Sequence, residues 1–251
     1  MRVPRIFSDR TLAEGGDIAL EAGAARHLLS VLRLRPGDAL IVFNGRGGEY
    51  RARLLTADGK QARVRLEHYQ EGPPPSPLRI TLAVGLSKGE RMDWVIQKAV
   101  ELGVQRICPL VTERCEVRLK GQRAERKSRH WQAIAESACE QSGQNLVPRI
   151  AAPVALQMAL AEAEQGADAC KLILDPRASQ SLASLLDSRP PGQITAVILL
   201  SGPEGGFTDA EVDLVTRHGF TAVSLGPRVL RTETAPLAAC ALLQGHWGDW
   251  R

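Results

Sequence analysis

No stretch of this chain is apolar for long enough to cross a bilayer. The longest runs, Thr195–Leu200 and Leu237–Leu243, stop far short of the roughly 20 residues a spanning helix needs. No apolar segment follows the charged start Met1-Arg2-Val3-Pro4-Arg5, so no secretory leader is expected and the cytoplasm is the expected compartment. The five cysteines, Cys108, Cys115, Cys139, Cys170 and Cys240, never form a Cys-x-x-Cys pair. That spacing argues against a zinc site or a disulfide framework and for reduced, buried thiols. The histidines are equally scattered, with no His/Glu pair at helical ligand spacing, so no metal is expected. Also missing are Gly-x-x-x-x-Gly-Lys-Ser/Thr and Gly-x-Gly-x-x-Gly, the loops that cradle nucleotide phosphates.

What is present suits a globular protein of one large or two modest domains: 251 residues, 44% hydrophobic and 24% charged. The formal charge of +4 says less than its distribution. Residues 1–75 hold 12 Arg/Lys against 9 Asp/Glu. Arg114–Arg129 carries Arg114, Arg118, Lys120, Arg123, Arg126, Lys127 and Arg129 against Glu116 and Glu125. Such clusters are either the footprint of a polyanion or a solvated positive face.

Gly72-Pro73-Pro74-Pro75-Ser76-Pro77 breaks the chain, because proline forbids both helix and ladder hydrogen bonds. Before it, Asp38–Phe43, Glu49–Leu55 and Gln61–Tyr69 are short strands separated by Asn44–Gly48 and by Asp58-Gly59. Ala62, Val64 and Leu66 alternate with Arg63, Arg65 and Glu67, which predicts a small antiparallel sheet or barrel whose wet face carries Arg51, Arg53, Arg63 and Arg65. After the break, strands alternate with helices. Strands are expected at Arg79–Leu86, Val104–Val111, Lys171–Leu174, Ile194–Leu200 and Thr221–Leu225. Helices are expected at Glu90–Leu102, Ser128–Ser142, Val154–Gln165, Thr208–His218 (opened by a Thr208/Glu211 capping box) and about Pro236–Trp247. Apolar strands interleaved with helices mean an α/β domain with a parallel sheet covered on both faces. Met92, Trp94 and Trp131 read as core, and His27 as a buried structural histidine.

Two strand-to-helix loops carry the chemistry. Leu199–Phe207 includes Gly202-Pro203-Glu204-Gly205-Gly206, whose glycines let backbone approach a ligand closely. Glu204 makes a strongly anionic ligand unsuitable there. Leu225–Pro236 holds Arg228, Arg231 and Glu233 in six residues. Either glycine turn alone is a weak signal, and Thr232 or Thr234 could simply cap the following helix. Ligands in parallel sheets nevertheless bind outside the carboxyl ends of strands, and both loops lie there, so they are expected to converge on one crevice. Ser87-Lys88-Gly89, which also follows a strand, is by default a solvated turn.

Gly202–Phe207 followed by Leu225-Gly226-x-Arg228-x-Leu230-Arg231-x-Glu233-Thr234-Ala235 resembles the SPOUT methyltransferases, specifically the ribosomal RNA small-subunit methyltransferase E family. Further matches are Arg5-Ile6-Phe7, His27-Leu28-Leu29 with Val31-Leu32-Arg33, Gln97-Lys98-Ala99 with Glu101-Leu102-Gly103-Val104, and Glu140-Gln141-Ser142-Gly143. The likeness covers essentially the whole chain, with one departure: Gln144 stands where the family usually has arginine. The resemblance implies a PUA-like RNA-binding barrel at 1–72, a linker at 73–77, and at 78–251 a domain tied into a trefoil knot. It also implies a homodimer that uses S-adenosyl-L-methionine (SAM) to methylate uridine N3 in small-subunit ribosomal RNA.

Mapped onto this chain, SAM is expected to rest on Leu200, Ser201, Gly202, Pro203, Glu204, Gly205 and Gly206, and on Leu225, Gly226, Arg228, Val229, Leu230 and Thr234. Arg231 is expected to stabilise the charge that spreads over the uracil oxygens when N3 loses its proton. Glu233 is the first candidate base, with water or a residue of a second subunit as alternatives. Arg5, Arg33, Arg35, Arg114, Arg118 and Lys120 are the candidate phosphate contacts. A ribose 2′-hydroxyl methyltransferase on the same scaffold and a non-catalytic RNA-binding assembly factor remain as rival readings, since fold alone does not settle function.

Overall fold

The computed structural model describes residues 3–58, 61–164 and 168–250. Gly59 of the expected Asp58-Gly59 turn and Gln165, the expected end of the fourth helix named above, lie outside them. Two compact units result: residues up to Pro75 together with Glu136–Val147, and Ser76–Ala135 together with the chain from Pro148 on.

The first unit contains β1 (Arg5–Phe7), β2 (Asp17–Ala19), α1 (Ala22–Arg26), a π-helical turn (His27–Val31), β3 (Ala39–Phe43), β4 (Glu49–Asp58) and β5 (Gln61–Gln70). The five strands form one sheet in the order β1-β3-β4-β5-β2. The expected strands pair antiparallel, β3 with β4 and β4 with β5, as does β2 with β5, while β1, which no alternation announced, joins β3 in parallel. Period-two alternation works as anticipated. Leu40, Val42, Ala52, Leu54, Ala62, Val64 and Leu66 face one core with Ile6 and Leu28, while Arg51, Arg53, Arg63 and Arg65 stand in solvent. Two register shifts, at Arg51/Ala52 and Leu54/Thr56, interrupt the β4–β5 ladder and bend it.

Ordered along the chain, the second unit has β6 (Arg79–Gly85), α2 (Arg91–Glu101), β7 (Arg106–Val111), α3 (Gly121–Ser142), β8 (Arg149–Ile150), β9 (Val154–Ala155), α4 (Leu156–Glu164), β10 (Cys170–Leu174), α5 (Leu182–Asp187), β11 (Ala196–Ser201), α6 (Asp209–Arg217), β12 (Thr221–Val223) and α7 (Thr234–Trp247). From Glu136 onward α3 belongs to the first unit. The sheet runs β12-β10-β11-β6-β7-β8, with β9 also on β7, and every pairing is parallel. Its central strands are apolar on both faces: in β6, Ile80, Leu82, Ala83 and Val84 are all buried. The Thr208/Glu211 capping box forms, and Glu211 also accepts from the Glu113 amide at 2.8 Å.

Several local expectations change. α3 starts at Gly121 rather than Ser128, placing much of the basic run on a helix. Val154 and Ala155 pair with β7 before α4 begins. Trp131 is buried and donates through Nε1 to Asp93 at 2.9 Å, and Met92 is buried as expected. Trp94, however, is 53% exposed with the Lys98 ammonium 5.1 Å from its ring centroid. Position 94 falls on the outward side of α2, where an aromatic ring can be covered by a lysine one turn on. His27 is half-exposed in the π-helical turn rather than buried. All five cysteines are free and buried. Burial pushes the Cys139 and Cys240 thiols up to about 12, so they act as small hydrophobes. Among the described residues, no helix is long and apolar enough to cross a membrane.

Candidate active site

Three strand-to-helix connections meet at the carboxyl end of the parallel sheet. They leave β10, β11 and β12, and together line a cavity of about 340 Å³. The two glycine loops leave strands that are not neighbours, because β10 lies between β11 and β12. The β10 loop therefore contributes Leu174, Asp175, Pro176 and Arg177 to the cavity. These residues were missed, although the rule that ligands sit at strand carboxyl ends applied equally to β10.

The first loop is held from several sides. Arg114 donates to the carbonyls of Gly205 at 3.0 Å and Phe207 at 3.2 Å. Glu204 accepts from the Lys88 amide at 3.0 Å and from Arg91 at 2.6 Å. Burial raises the Glu204 pKa, but these hydrogen bonds outweigh it and hold the carboxyl below its ordinary range. Glu204 is thus occupied by the β6–α2 connection, and Lys88 pairs with Glu116. Ser201, Gly202, Pro203, Glu204, Gly205 and Gly206 all line the cavity; Leu200 lies beneath them in the core. Gly85 is needed here: a Cβ on it would stand 2.4 Å from the Pro203 amide nitrogen.

The second loop is open. Leu225, Gly226, Arg228, Val229 and Leu230 line the cavity, and Val229 is 84% exposed. Gly226 adopts φ +93°, and a Cβ there would meet nothing within 4 Å. The expected threonine cap is absent: α7 starts after Glu233 without a side-chain cap, and Thr234 is an exposed first-turn residue outside the cavity lining. Thr232 instead donates to the Gly202 carbonyl at 2.9 Å. That bond joins the two loops, so the predicted convergence is real, through a residue assigned a different task.

Arg231 is exposed and makes no side-chain hydrogen bond or ion pair among the described residues. Glu233 does not face the cavity. Its Oε2 is closed off from solvent without a hydrogen bond, 3.9 Å from Arg91 Nε, which places Arg91 between Glu204 and Glu233. In the β10 loop Arg177 bridges Asp175 and Asp209. Burial raises the Asp175 pKa, and the Arg177 bonds more than offset it, leaving the net shift downward.

The candidate phosphate contacts separate sharply. Arg33, Arg35, Arg118 and Lys120 are exposed. Arg5 is not available: its side chain is 6% exposed, pairs with Glu49, donates to the Gln144 carbonyl and to Asn145, and lies over Phe43. It is a structural cation. Arg114 likewise serves the first loop. The departure at Gln144 falls where the backbone, rather than the side chain, is what Arg5 binds.

Comparison with known proteins adds an independent line. Residues 74–244 match the family described as RNA methyltransferase domain, and residues 20–67 the RNA methyltransferase PUA domain. The chain is 34% identical over 248 residues to a Buchnera aphidicola protein named ribosomal RNA small subunit methyltransferase E, covering 99% of this chain and 98% of that one. A Neisseria gonorrhoeae structure of the same name, bound to S-adenosyl methionine, superposes with TM-score 0.89 at 38% identity over the full length of both chains. A Legionella pneumophila protein described as a methyltransferase, solved with SAM, gives TM-score 0.91 at 41% identity over 99% of this chain and 100% of that one.

Proposed function

Because this chain belongs to the ribosomal RNA small subunit methyltransferase E family, we propose that it transfers a methyl group from SAM to N3 of a uridine in small-subunit (16S) ribosomal RNA. The observation that carries this reading is the Thr232–Gly202 bond, which closes two glycine loops over one cavity at the carboxyl end of a parallel sheet. The residues fit the group. Leu174, Phe207 and Leu225 offer apolar surface for a purine, and the loops offer backbone donors and acceptors. Open space faces Gly206 and Gly226.

When bound, SAM supplies an electrophilic methyl on a positively charged sulphur. The chain's part is alignment and charge. The arrested first loop holds its backbone groups in one geometry, and orientation of this kind is worth roughly 7–11 kcal/mol in well-aligned reactions. Arg231, exposed and unpaired among the described residues though outside the cavity lining, donates to the uracil oxygens as N3 loses its proton. Glu233 we reassign from base to positioning residue, because its buried oxygen faces Arg91; water takes the proton. Arg33, Arg35, Arg118 and Lys120 contact phosphates.

In this reading residues 1–72 form the RNA-binding, PUA-like barrel, a closure that the bulges of the β4–β5 ladder favour. Residues 73–77 form the linker and 78–251 the catalytic domain, of which Glu136–Val147 belongs to the first compact unit. The chain leaving β12 at the sheet edge is tied to the β11 loop and lays α7 against β6, β11 and α2, which supports the trefoil knot. Exposed Trp94 and Leu242 offer apolar surface for a second copy, as a homodimer requires. The test is methyl transfer from labelled SAM to small subunits lacking the modification, with the product nucleoside mapped by mass spectrometry. N3-methyluridine is expected; a 2′-O-methyl nucleoside, or no product, overturns the reading.

A further inference from the structure

The turn between α1 and β3 disposes its hydrophobic residues unevenly. Leu28 is fully buried, and Leu29 and Leu34 pack against the same core. Between them, Val31 and Leu32 stand 64% and 40% exposed. Their outward position is held by the fold. The Leu32 amide donates to His27 O and the Leu34 amide to Leu28 O, each at 3.0 Å. Arg33 sits at φ +57°, the one non-glycine in the left-handed region among the described residues, a conformation disfavoured for any residue with a Cβ. An apolar pair fixed in water on an anchored turn marks a contact surface.

The surrounding charge selects the partner. Ala22–Gly37 contains Arg26, Arg33 and Arg35 and no acidic residue. All three are exposed, and none pairs through its side chain among the described residues. The flanking acids are engaged: Glu21 accepts from Ser8 and Asp38 from the Arg35 amide. Two copies docking through this turn would bring like charges together, whereas a polyanion with apolar faces between its charges complements it. Nucleic acid has that composition, and apolar side chains at such positions stack on or wedge between bases while arginines hold phosphates.

We propose that Val31 and Leu32 form a wedge against an unstacked base of the ribosomal RNA, gripped on either side by Arg26, Arg33 and Arg35. The proposal rests on the reading that this chain acts on ribosomal RNA. Both apolar residues are exposed, so V31S/L32S leaves the core intact. Binding to small subunits lacking the modification, titrated at several salt concentrations, is expected to weaken about tenfold in V31S/L32S, since two aliphatic side chains lose the apolar burial they gain against a base. Its salt slope stays that of the natural protein. R26Q/R33Q/R35Q is expected to lower the slope by about two to three units, close to one per phosphate contact. Both variants keep natural SAM affinity and sedimentation. Unchanged RNA affinity in V31S/L32S overturns the wedge. An altered sedimentation coefficient with unchanged RNA affinity overturns it in favour of a self-association surface. A natural protein that binds these particles yet never methylates them removes the proposed function while leaving the wedge standing.

Discussion

The two loops that enclose the cavity are built on opposite plans. Gly202–Phe207 is gripped by Arg114, Arg91 and the Lys88 amide and packed against Gly85. Among the described residues, Leu225–Glu233 has a single side-chain tether to its partner loop, Thr232, and leaves Val229, Arg228 and Arg231 in solvent. A cofactor of constant shape is best met by groups that do not move, because preorganised dipoles pay no reorganisation cost at the moment of reaction. A folded RNA must enter and leave, and exposed, sparsely bonded segments are the ones able to move. In the proposed reading the first loop gives the cofactor fixed groups, while the second, which lines the same cavity, also leaves Arg231 free for the substrate.

That division can be broken most forcefully at Arg231. Arg231→Ala is expected to lower kcat about 10²–10³-fold, the usual cost of one charge-stabilising donor, while the SAM dissociation constant changes less than about twofold. Steady-state kinetics beside calorimetry decides it, and equal losses in both would erase the distinction between the loops. The opposite signature is expected from Gly85→Ala. The added methyl collides with Pro203 backbone, costing about 1–3 kcal/mol as overpacking does, and thermal melts should fall together with SAM affinity. Thr232→Val removes one hydrogen bond between the loops at constant shape. A loss of about 0.5–1.5 kcal/mol, read as weaker SAM binding by calorimetry, would show that the open loop is steadied through the closed one.

The smallest effect concerns pH. The Glu204 carboxyl is held below its ordinary range, so its bonds to Arg91 and the Lys88 amide persist above the usual glutamate value and fail as pH falls through the lower, folded-state value. SAM affinity should therefore decline only on the acid side of the normal glutamate range. Glu204→Gln should flatten that part of the profile, and because the side chain is partly exposed the effect is modest. A decline centred at or above the ordinary value would show that another group governs the loop.

Much of this was legible beforehand, for identifiable reasons. Alternation in Gln61–Tyr69 and the apolar run of β6 are local signals, and both elements formed. The Thr208/Glu211 capping box needs only residues three apart. Signals failed where the partner is distant in sequence. Trp94 looks like core on hydrophobicity alone, yet the outer side of α2 leaves it exposed beside Lys98. Arg5 resembles a free surface cation until Glu49, Gln144 and Asn145 gather around it. The short strands β1, β2, β8 and β9 and the helix α5 have too few residues to show any period.

From the order of residues alone come the two classes of sheet, the loop glycines and the family to which the chain belongs, because these depend on periodicity, backbone freedom and motif. Tertiary structure alone decided that β10 lies between the strands bearing the two loops. It thereby added Asp175 and Arg177 to the cavity, turned Thr232 from a cap into a tie and turned Glu233 toward Arg91. Strand order and charge pairing are long-range choices, settled by which buried faces and opposite charges can be satisfied together, and no local pattern encodes them.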